Sequence, residues 1–391
     1  MSRARDTLCP DADSPLDLDR RGVAHTMRPL SAAPEGERRP PAALDLLTLA
    51  LLPRLAPPAV RKLCDRGPIA DVLADPDAHA HLLSAEALTL LRRAGEAERR
   101  TDEERRRAAA LGVQIVARDE PAFPALVKEI FDPPPVLWVR GRLQAEDAER
   151  GVAIVGARAA TPAGRSLARA MSSDLAAAGA TIVSGLARGI DTAAHLGALD
   201  GGGRTVAVLG CGVDRIYPPE NAALAGRIEA TGAVVSEFPL GTPPLPHHFP
   251  QRNRIIAGWS RGVVVVEAAA RSGALNTART AADENRDVMA VPGHPSQPAC
   301  EGTNQLLRDG AAFVRDARDV AAELGFELPA ENAQAVADPV LGALRRDAPL
   351  SLEDLRARSG LETPDLLARL SQLELRDAVR RLPGALFVRH H

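Results

Sequence analysis

The residues Ser184-Gly185-Leu186-Ala187-Arg188-Gly189-Ile190-Asp191 sit where an apolar run, Ala180-Thr181-Ile182-Val183, hands over to an amphipathic run ending near Leu199. A strand that stops at Ser184-Gly185, followed by a helix that starts after Arg188-Gly189, would aim backbone N–H groups and a guanidinium at one point. That arrangement suits an anion, phosphate above all. A second cluster is Phe249-Pro250-Gln251-Arg252-Asn253-Arg254, with His247-His248 before it and Ile255-Ile256-Ala257-Gly258-Trp259 behind it. Two guanidiniums and an amide at a helix start supply donors to phosphate oxygens, and Phe249 offers a base a stacking surface. The same arginines can instead pair with Glu237 and Glu267 and brace loops, and both roles can hold at once.

Two other groups invite chemistry and are expected to be structural. Asp191 and His195 lie four apart on one helix face, a spacing compatible with acid/base work. The plainer reading makes Asp191 a first-turn helix acid and packs His195 against a sheet. Cys211 stands between Gly210 and Gly212 with no histidine placed by sequence to activate it, so a tight turn is the simpler reading. The four cysteines, Cys9, Cys64, Cys211 and Cys300, show no C-x-x-C spacing, so neither a zinc site nor a disulfide framework is expected, in keeping with a reducing cytoplasm. No catalytic residue, metal or cofactor follows from these patterns.

The elements that must position these residues repeat one device. Val152-Ala153-Ile154-Val155 runs into Gly156-Ala157-Arg158, and Thr161, Pro162 and Gly164 then open a helical pattern. Val206-Ala207-Val208-Leu209 runs into Gly210-Cys211-Gly212, Val263-Val264-Val265-Val266 into Glu267 and then Arg271-Ser272-Gly273, and Val288-Met289-Ala290-Val291 into Pro292-Gly293. Short apolar strands alternating with helices predict an α/β fold, a doubly wound parallel sheet whose ligands bind beyond the carboxyl ends of its strands. Arg158 occupies the place of the second glycine in a dinucleotide fingerprint, and the second strand ends in Ser184-Gly185 where an acid would hold a ribose. A nicotinamide dehydrogenase is therefore not expected, and no G-K-[ST] follows any strand to make a P-loop.

The 391 residues allow two or three domains, and a hydrophobic content of 45% supports an ordinary core. The formal net charge of −3 argues against a polycation that coats nucleic acid, so any polyanion site must be a local gathering of arginines. Lys62 and Lys128 are the only lysines, a bias that a GC-rich genome explains. No apolar run approaches the ~20 residues of a membrane span, and Met1 to Gly22 lacks the apolar core of a signal peptide. Residues 1–42, rich in Pro, Arg, Asp and Ala, read as disordered, with Met27 an alternative start. Residues 43–111 read as a helical module, with Leu44, Leu47, Leu51, Leu55, Leu63, Leu82, Leu83, Leu88 and Leu91 in its pattern, broken at Pro57-Pro58 and Gly67-Pro68. Thr101 to Arg107 reads as a solvated charged face. Residues 112–327 hold the sheet, to which Gln114-Ile115-Val116 and Val136-Leu137-Trp138-Val139 would add. Residues 328–339 read as a linker. Residues 340–391 read as a winged helix: a first helix from Val340 to Arg346, a second capped by Ser351 and Asp354 and stopped at Gly360, a third from Thr363 to Leu375, and a hairpin. The third helix would expose Arg369, Gln372 and Arg376.

Taken together, Val155-Gly156-Ala157-Arg158, the Ser184 to Asp191 run with Ala194-His195, Tyr217-Pro218 with Asn221, Ser236-Glu237, Phe249-Pro250 with Arg252-Asn253-Arg254, Glu267-Ala268, Ser272-Gly273, Thr277-Ala278 and Val291-Pro292-Gly293 resemble the DNA-processing protein A family (DprA, also called Smf). The resemblance spans about Ala43 to Val388. It implies a SAM-like front module, a Rossmann-like centre and a winged-helix end. In function it implies a dimeric single-stranded DNA-binding protein that protects incoming DNA in natural transformation and loads the RecA recombinase onto it. By motif, the DNA-contacting set would be Gly156, Arg158, Ser184, Gly185, Arg188, Gly210, Gly212, Phe249, Arg252, Asn253, Arg254, Ser272 and Gly273. Ala157 and Ala274 stand where the family often has serine, and Pro219-Glu220 where many members have a basic residue. Two alternatives remain. One is a LOG-type phosphoribohydrolase, whose P-G-G-x-G-T-x-x-E run is missing here, since Gly302-Thr303 is followed by Asn304-Gln305-Leu306. The other is a duplex-DNA regulator acting through the winged helix.

Overall fold

The computed structural model describes residues 41–93, 95–328, 339–345, 348–375 and 378–389. The expected disorder of residues 1–40, the alternative start at Met27, most of the linker and Arg376 lie outside the described residues. Among the described residues, five helices come first: α1 (Pro41–Ala50), α2 (Pro57–Asp65), α3 (Ile69–Ala74), α4 (Ala85–Arg92) and α5 (Glu96–Ala110). Helix α1 thus already includes Pro41 and Ala42, which the sequence reading left outside the helical module. Pro57-Pro58 begins α2 and does not merely break the pattern, because a proline in the first turn has no amide to lose and its φ is already helical.

Nine strands follow: β1 (Gln114–Ala117), β2 (Val136–Gly141), β3 (Gly151–Val155), β4 (Thr181–Ser184), β5 (Thr205–Leu209), β6 (Ala233–Ser236), β7 (Gly262–Val265), β8 (Asp287–Ala290) and β9 (Ala312–Phe313). They form one sheet of order β1-β2-β6-β5-β4-β3-β7-β8-β9. From β6 to β9 neighbouring strands are parallel, while β2 pairs antiparallel with β6 and β1 with β2. The central strands are buried on both faces and their side chains alternate, as a pleat requires. Val152 and Ile154 of β3 enter one core and Ala153 and Val155 the other.

Between the strands lie α6 (Ala125–Lys128), α7 (Glu146–Glu149), α8 (Pro162–Ala177), α9 (Ile190–Asp200), α10 (Ala222–Thr231), α11 (His248–Trp259), α12 (Gly273–Asp283), α13 (Glu301–Arg308) and α14 (Ala317–Leu324). Met171 and Leu175 of α8 and Ala194 and Ala198 of α9 cover one face of the sheet. Ile255, Ile256 and Trp259 of α11 cover the other with Ala278 and Ala281 of α12. A Cβ at Gly197 or Gly201 would run into the Arg169 or Ser173 carbonyl oxygen, so these glycines let α9 lie directly on the backbone of α8.

The front helices close on the sheet's outer strands. Leu46, Leu47, Leu49 and Leu63 share one core with Ile115, Ala117, Val136 and Trp138. The stretch from Thr101 to Arg107 is only partly a solvated face. Arg105 pairs with Asp102, but Thr101 is buried on Thr48, and buried Glu104 accepts the Leu240 N–H at 2.7 Å, which docks α5.

The chain ends in α15 (Pro339–Ala343), β10 (Leu350–Ser351), α16 (Leu352–Ser359), α17 (Thr363–Leu375), β11 (Val379–Leu382) and β12 (Leu386–Arg389). The first of these helices is shorter than expected. Ser351 and Asp354 form the reciprocal cap, and Gly360 takes the left-handed conformation that stops α16, with φ 69°. Val340, Leu355, Leu366, Leu370 and Phe387 fill the small core, and β10 adds a third strand to the hairpin. Gln372 is exposed as expected, while Arg369 is half-buried and donates to Gln372 Oε1 at 2.9 Å.

Candidate nucleic-acid interface

Strand β3 pairs with β4 on one side and β7 on the other, so the chain reverses its winding direction there, and the crevice beyond β3 and β7 is where this architecture ordinarily takes a phosphate. In this protein a carboxylate fills it. Glu267, following β7, is buried and accepts from the Thr161 N–H at 2.9 Å and from the Thr161 hydroxyl, at the N-terminus of α8. Its own carbonyl accepts the Ala157 N–H at 2.7 Å, and any Cβ at Gly164 would collide with its carboxyl group. The expected pairing of an arginine with Glu267 is not made; Thr161 takes that place.

The same substitution of an internal carboxylate for a ligand recurs after β4. The turn was expected to present its amides to phosphate. The Gly185 and Ala187 N–H groups instead donate to Asp191 Oδ2, at 3.1 and 3.4 Å. Burial pushes the Asp191 carboxyl up, against the pull of Arg252 and of these two donors. Leu186, at the apex, is buried with φ 55°, a left-handed conformation rare for leucine that turns the chain between Gly185 and Arg188. The Thr161 N–H at the start of α8 and the Gly185 and Ala187 N–H groups of the turn are thus satisfied from within, and side chains are left to meet an external anion.

Those side chains converge beside the two filled sites. Arg158, Gly185, Ala187, Arg188, Tyr217, Pro218, Phe249 and Arg252 line a narrow cleft of about 30 Å³ over the carboxyl ends of β3, β4 and β5. Arg158 is exposed, makes no ion pair among the described residues, and lies over Phe249 with its Cζ 5.1 Å from the ring centroid. Tyr217 stands 5.7 Å from Phe249 at an interplanar angle of 42°. The backbone of Phe249 is positioned by the start of α11, and its ring rests on Gly210, where a Cβ would come within 3.0 Å of Cδ1.

The remaining expected residues separate into distinct roles. Arg252 lies beneath the cleft, 4% exposed, donating to the Gly185 carbonyl at 2.8 Å and to the Val208 carbonyl, with Nε on Asn253 Oδ1 at 3.3 Å. Burial lowers its pKa to about 10, so it stays charged at neutral pH. Arg254 does not reach the cleft. It pairs with Glu237 in a separate cavity of about 430 Å³ bordered by α1, α2 and the Pro133-Pro134-Pro135 run. Residues two apart at a helix start point to opposite sides, which sends Arg252 into the sheet ends and Arg254 toward the front helices. Ser184 is buried with its hydroxyl on the Ile154 carbonyl, and Gly156 packs where a Cβ would strike Ile190. Gly212 donates its N–H to the Thr242 carbonyl and accepts the Arg215 N–H on its own carbonyl, which closes a turn. Ser272 caps α12 through the Ala274 N–H, and Asn253 ties Gly273 to α11 at 3.5 Å. Of these residues Arg252 alone lines the cleft. Tyr217, which the expected contact set left out, does too; the only tyrosine of the sequence, followed by a proline in the loop after β5, was the available signal.

His195 and Cys211 are both held in internal hydrogen bonds. The Thr205 hydroxyl gives its proton to the Ile182 carbonyl, so His195 Nδ1, 2.7 Å away, must be the donor to Thr205 Oγ1, which fixes the neutral tautomer. Burial and Arg252 push the His195 pKa down to about 3. Burial raises the Cys211 thiol to about 11, and the thiol donates to the Arg215 carbonyl at 2.9 Å. The histidine carries a pH signature. Between pH 6.5 and about 3 the unfolded chain binds a proton that the fold refuses, so stability falls as pH drops through that window. At pH 4.5 the loss is expected to reach about 2 to 3 kcal/mol from this residue. Denaturant melts of His195→Gln should show a correspondingly flatter decline between pH 7 and 4.5, and parallel curves for the two proteins would refute the assignment.

Comparison with known proteins agrees with this architecture. The family model for DNA recombination-mediator protein A matches residues 114–325, and that for the DprA winged helix domain matches residues 321–385. Protein Smf of Escherichia coli is 39% identical over 284 residues, covering 69% of this chain and 76% of its own. DNA processing protein DprA of Streptococcus pneumoniae is 43% identical over 208 residues, covering 52% and 72%. The X-ray structure of that pneumococcal protein matches with a TM-score of 0.63 at 32% identity, over 75% of this chain and all of its own. DNA processing protein A of Helicobacter pylori, whose structure is reported for its single-stranded DNA binding mode, matches with a TM-score of 0.50 at 28% identity, over 55% and 97%. With one family model spanning most of the sheet and a second the C-terminal unit, and with relatives matched over more than two thirds of their length, this chain belongs to the DNA-processing protein A (DprA/Smf) family.

Proposed function

We propose that this protein binds single-stranded DNA through the Arg158–Phe249–Tyr217 cleft and takes part in DNA processing during transformation. The observation that carries the reading is the Arg158 guanidinium, without an ion-pair partner among the described residues, set over one aromatic ring and near a second at the carboxyl ends of parallel strands. A free cation suits a phosphate, and the exposed Tyr217 ring beside half-buried Phe249 suits unstacked bases, which a duplex does not offer. The family and the Helicobacter pylori neighbour's reported single-strand binding support it. The finer role proposed is that of a non-catalytic cytoplasmic homodimer that protects incoming strands and loads RecA onto them. No helix among the described residues is long and apolar enough to cross a membrane.

Fluorescence anisotropy with single-stranded and duplex oligonucleotides of equal length, over a salt series, tests the reading. Tighter single-strand binding is expected, and a preference for duplex would move the function to the winged helix. Release of adenine from AMP would instead indicate the phosphoribohydrolase alternative. Phe249→Ala should weaken single-strand binding by about 1 to 3 kcal/mol, the worth of one stacked base. Its salt slope should stay unchanged, because a stacking contact releases no counterions. Should the loss of binding only track a lowered melting temperature, Phe249 is a packing residue.

A further inference from the structure

Two loops meet at the rim of the cleft. The turn after β4 carries Arg188, and the segment after β5 carries a short 3-10 turn, Pro219–Asn221. Asn221 is buried, and its Nδ2 donates to the Leu186 carbonyl at 2.8 Å and the Thr192 hydroxyl at 2.9 Å, which ties the two loops together from beneath. Glu220, the preceding residue, faces out and accepts a hydrogen bond from Arg188 Nε. The two side chains are 62% and 47% exposed. A pair so exposed adds little to stability, and Asn221 already fixes the loops. Its influence therefore falls on whatever else approaches Arg188. Arg158 and Arg188 are both exposed arginines of the cleft lining, but of these two only Arg188 is engaged by a carboxylate.

We infer that Glu220 is an internal competitor for the strand's phosphate, holding Arg188 so that a phosphate must displace the carboxylate to use that guanidinium. The inference rests on the cleft being the single-strand site. A phosphate arriving at Arg188 exchanges one ion pair for another and leaves the freed carboxylate close by. Arg188 accordingly contributes less to binding than Arg158, and affinity is set below what two open arginines would give.

Single-strand binding by the full-length protein, with Glu220→Gln, Arg188→Ala, the double variant and Arg158→Ala compared at low and moderate salt, tests this. Glu220→Gln should tighten binding about two- to fivefold, the scale of an exposed ion pair. Its salt slope should steepen by about 0.7, as one more phosphate-bound cation is added on a single strand. Arg188→Ala should cost little in the native background and clearly more beside Glu220→Gln. Glu220→Asp, with a shorter reach, should fall between, and melting temperatures of all variants should stay together. Unchanged or weaker binding by Glu220→Gln, or an equal cost of Arg188→Ala in both backgrounds, overturns the competition. If Arg158→Ala weakens binding while Glu220→Gln does not strengthen it, only the role of Glu220 fails. If neither variant moves binding, the cleft itself is not the site.

Discussion

Arg252→Ala should destabilise the protein by about 3 to 5 kcal/mol, the scale expected when one partner is removed from a buried, charged network. The guanidinium is 4% exposed and joins the ends of two adjacent strands through the Gly185 and Val208 carbonyls, while its charge faces the buried Asp191 carboxylate. Its loss leaves both carbonyls unpaired and Asp191 without its main cation. Arg252→Lys keeps the charge but has no planar fork to span two carbonyls, so an intermediate loss is expected. Thermal or denaturant melting reads both variants. A fully stable Arg252→Ala protein that had lost single-strand binding would return Arg252 to the role of a strand contact and refute the bracing role.

The contrast between Arg252 and Arg158 shows where the sequence was legible. Strand-to-helix turns rich in glycine and arginine located one edge of the sheet, and Arg158 and Phe249, read as separate clusters, meet there. Hydrophobic runs and caps such as Thr161 and Ser351 are local signals, and the elements they mark formed. What local patterns do not carry is which donor each carboxylate takes. Asp191 reaches back six residues to Gly185, but Glu267 crosses 106 residues to Thr161, and only strand order places β7 beside β3. Both carboxylates stand where an external phosphate was expected. The two arginines of the Phe249 cluster looked equivalent as text. Helical geometry separates residues two apart by about 200°, a fact available from the sequence once α11 is drawn from His248, and it predicts opposite destinations for Arg252 and Arg254.

This division also explains why the arginines of the cleft matter more than its backbone. A phosphate-binding turn that offers amides gains from fixed dipoles, but here the Gly185 and Ala187 amides already answer Asp191, and the N-terminus of α8 answers Glu267. An approaching phosphate meets a surface on which the Gly185, Ala187 and Thr161 N–H groups are already taken. On the proposed reading, the free energy of strand binding comes mainly from guanidiniums and rings, and such a site would accept any sequence, because every nucleotide has a phosphate and a π-face.

Arg158→Ala should therefore weaken binding to single-stranded DNA by roughly tenfold or more at low salt, since a charge-assisted phosphate contact is worth about 1.5 to 3 kcal/mol. The residue is exposed, has no carboxylate partner among the described residues and rests on Phe249, so its loss removes little from the fold. The melting temperature should hardly change. The logarithmic salt dependence should flatten by about 0.7, because one fewer phosphate is neutralised on a flexible strand. That slope separates two explanations for any loss of affinity. If Arg158 only propped up the Phe249 ring, affinity would fall with the slope intact, and Arg158→Lys would fail to restore it because a lysine covers an aromatic face less well than a guanidinium. If Arg158 meets phosphate, Arg158→Lys should recover most of the slope and part of the affinity. An Arg158→Ala protein that binds the strand as tightly as the native chain, with the same slope, would remove the cleft from the DNA path altogether.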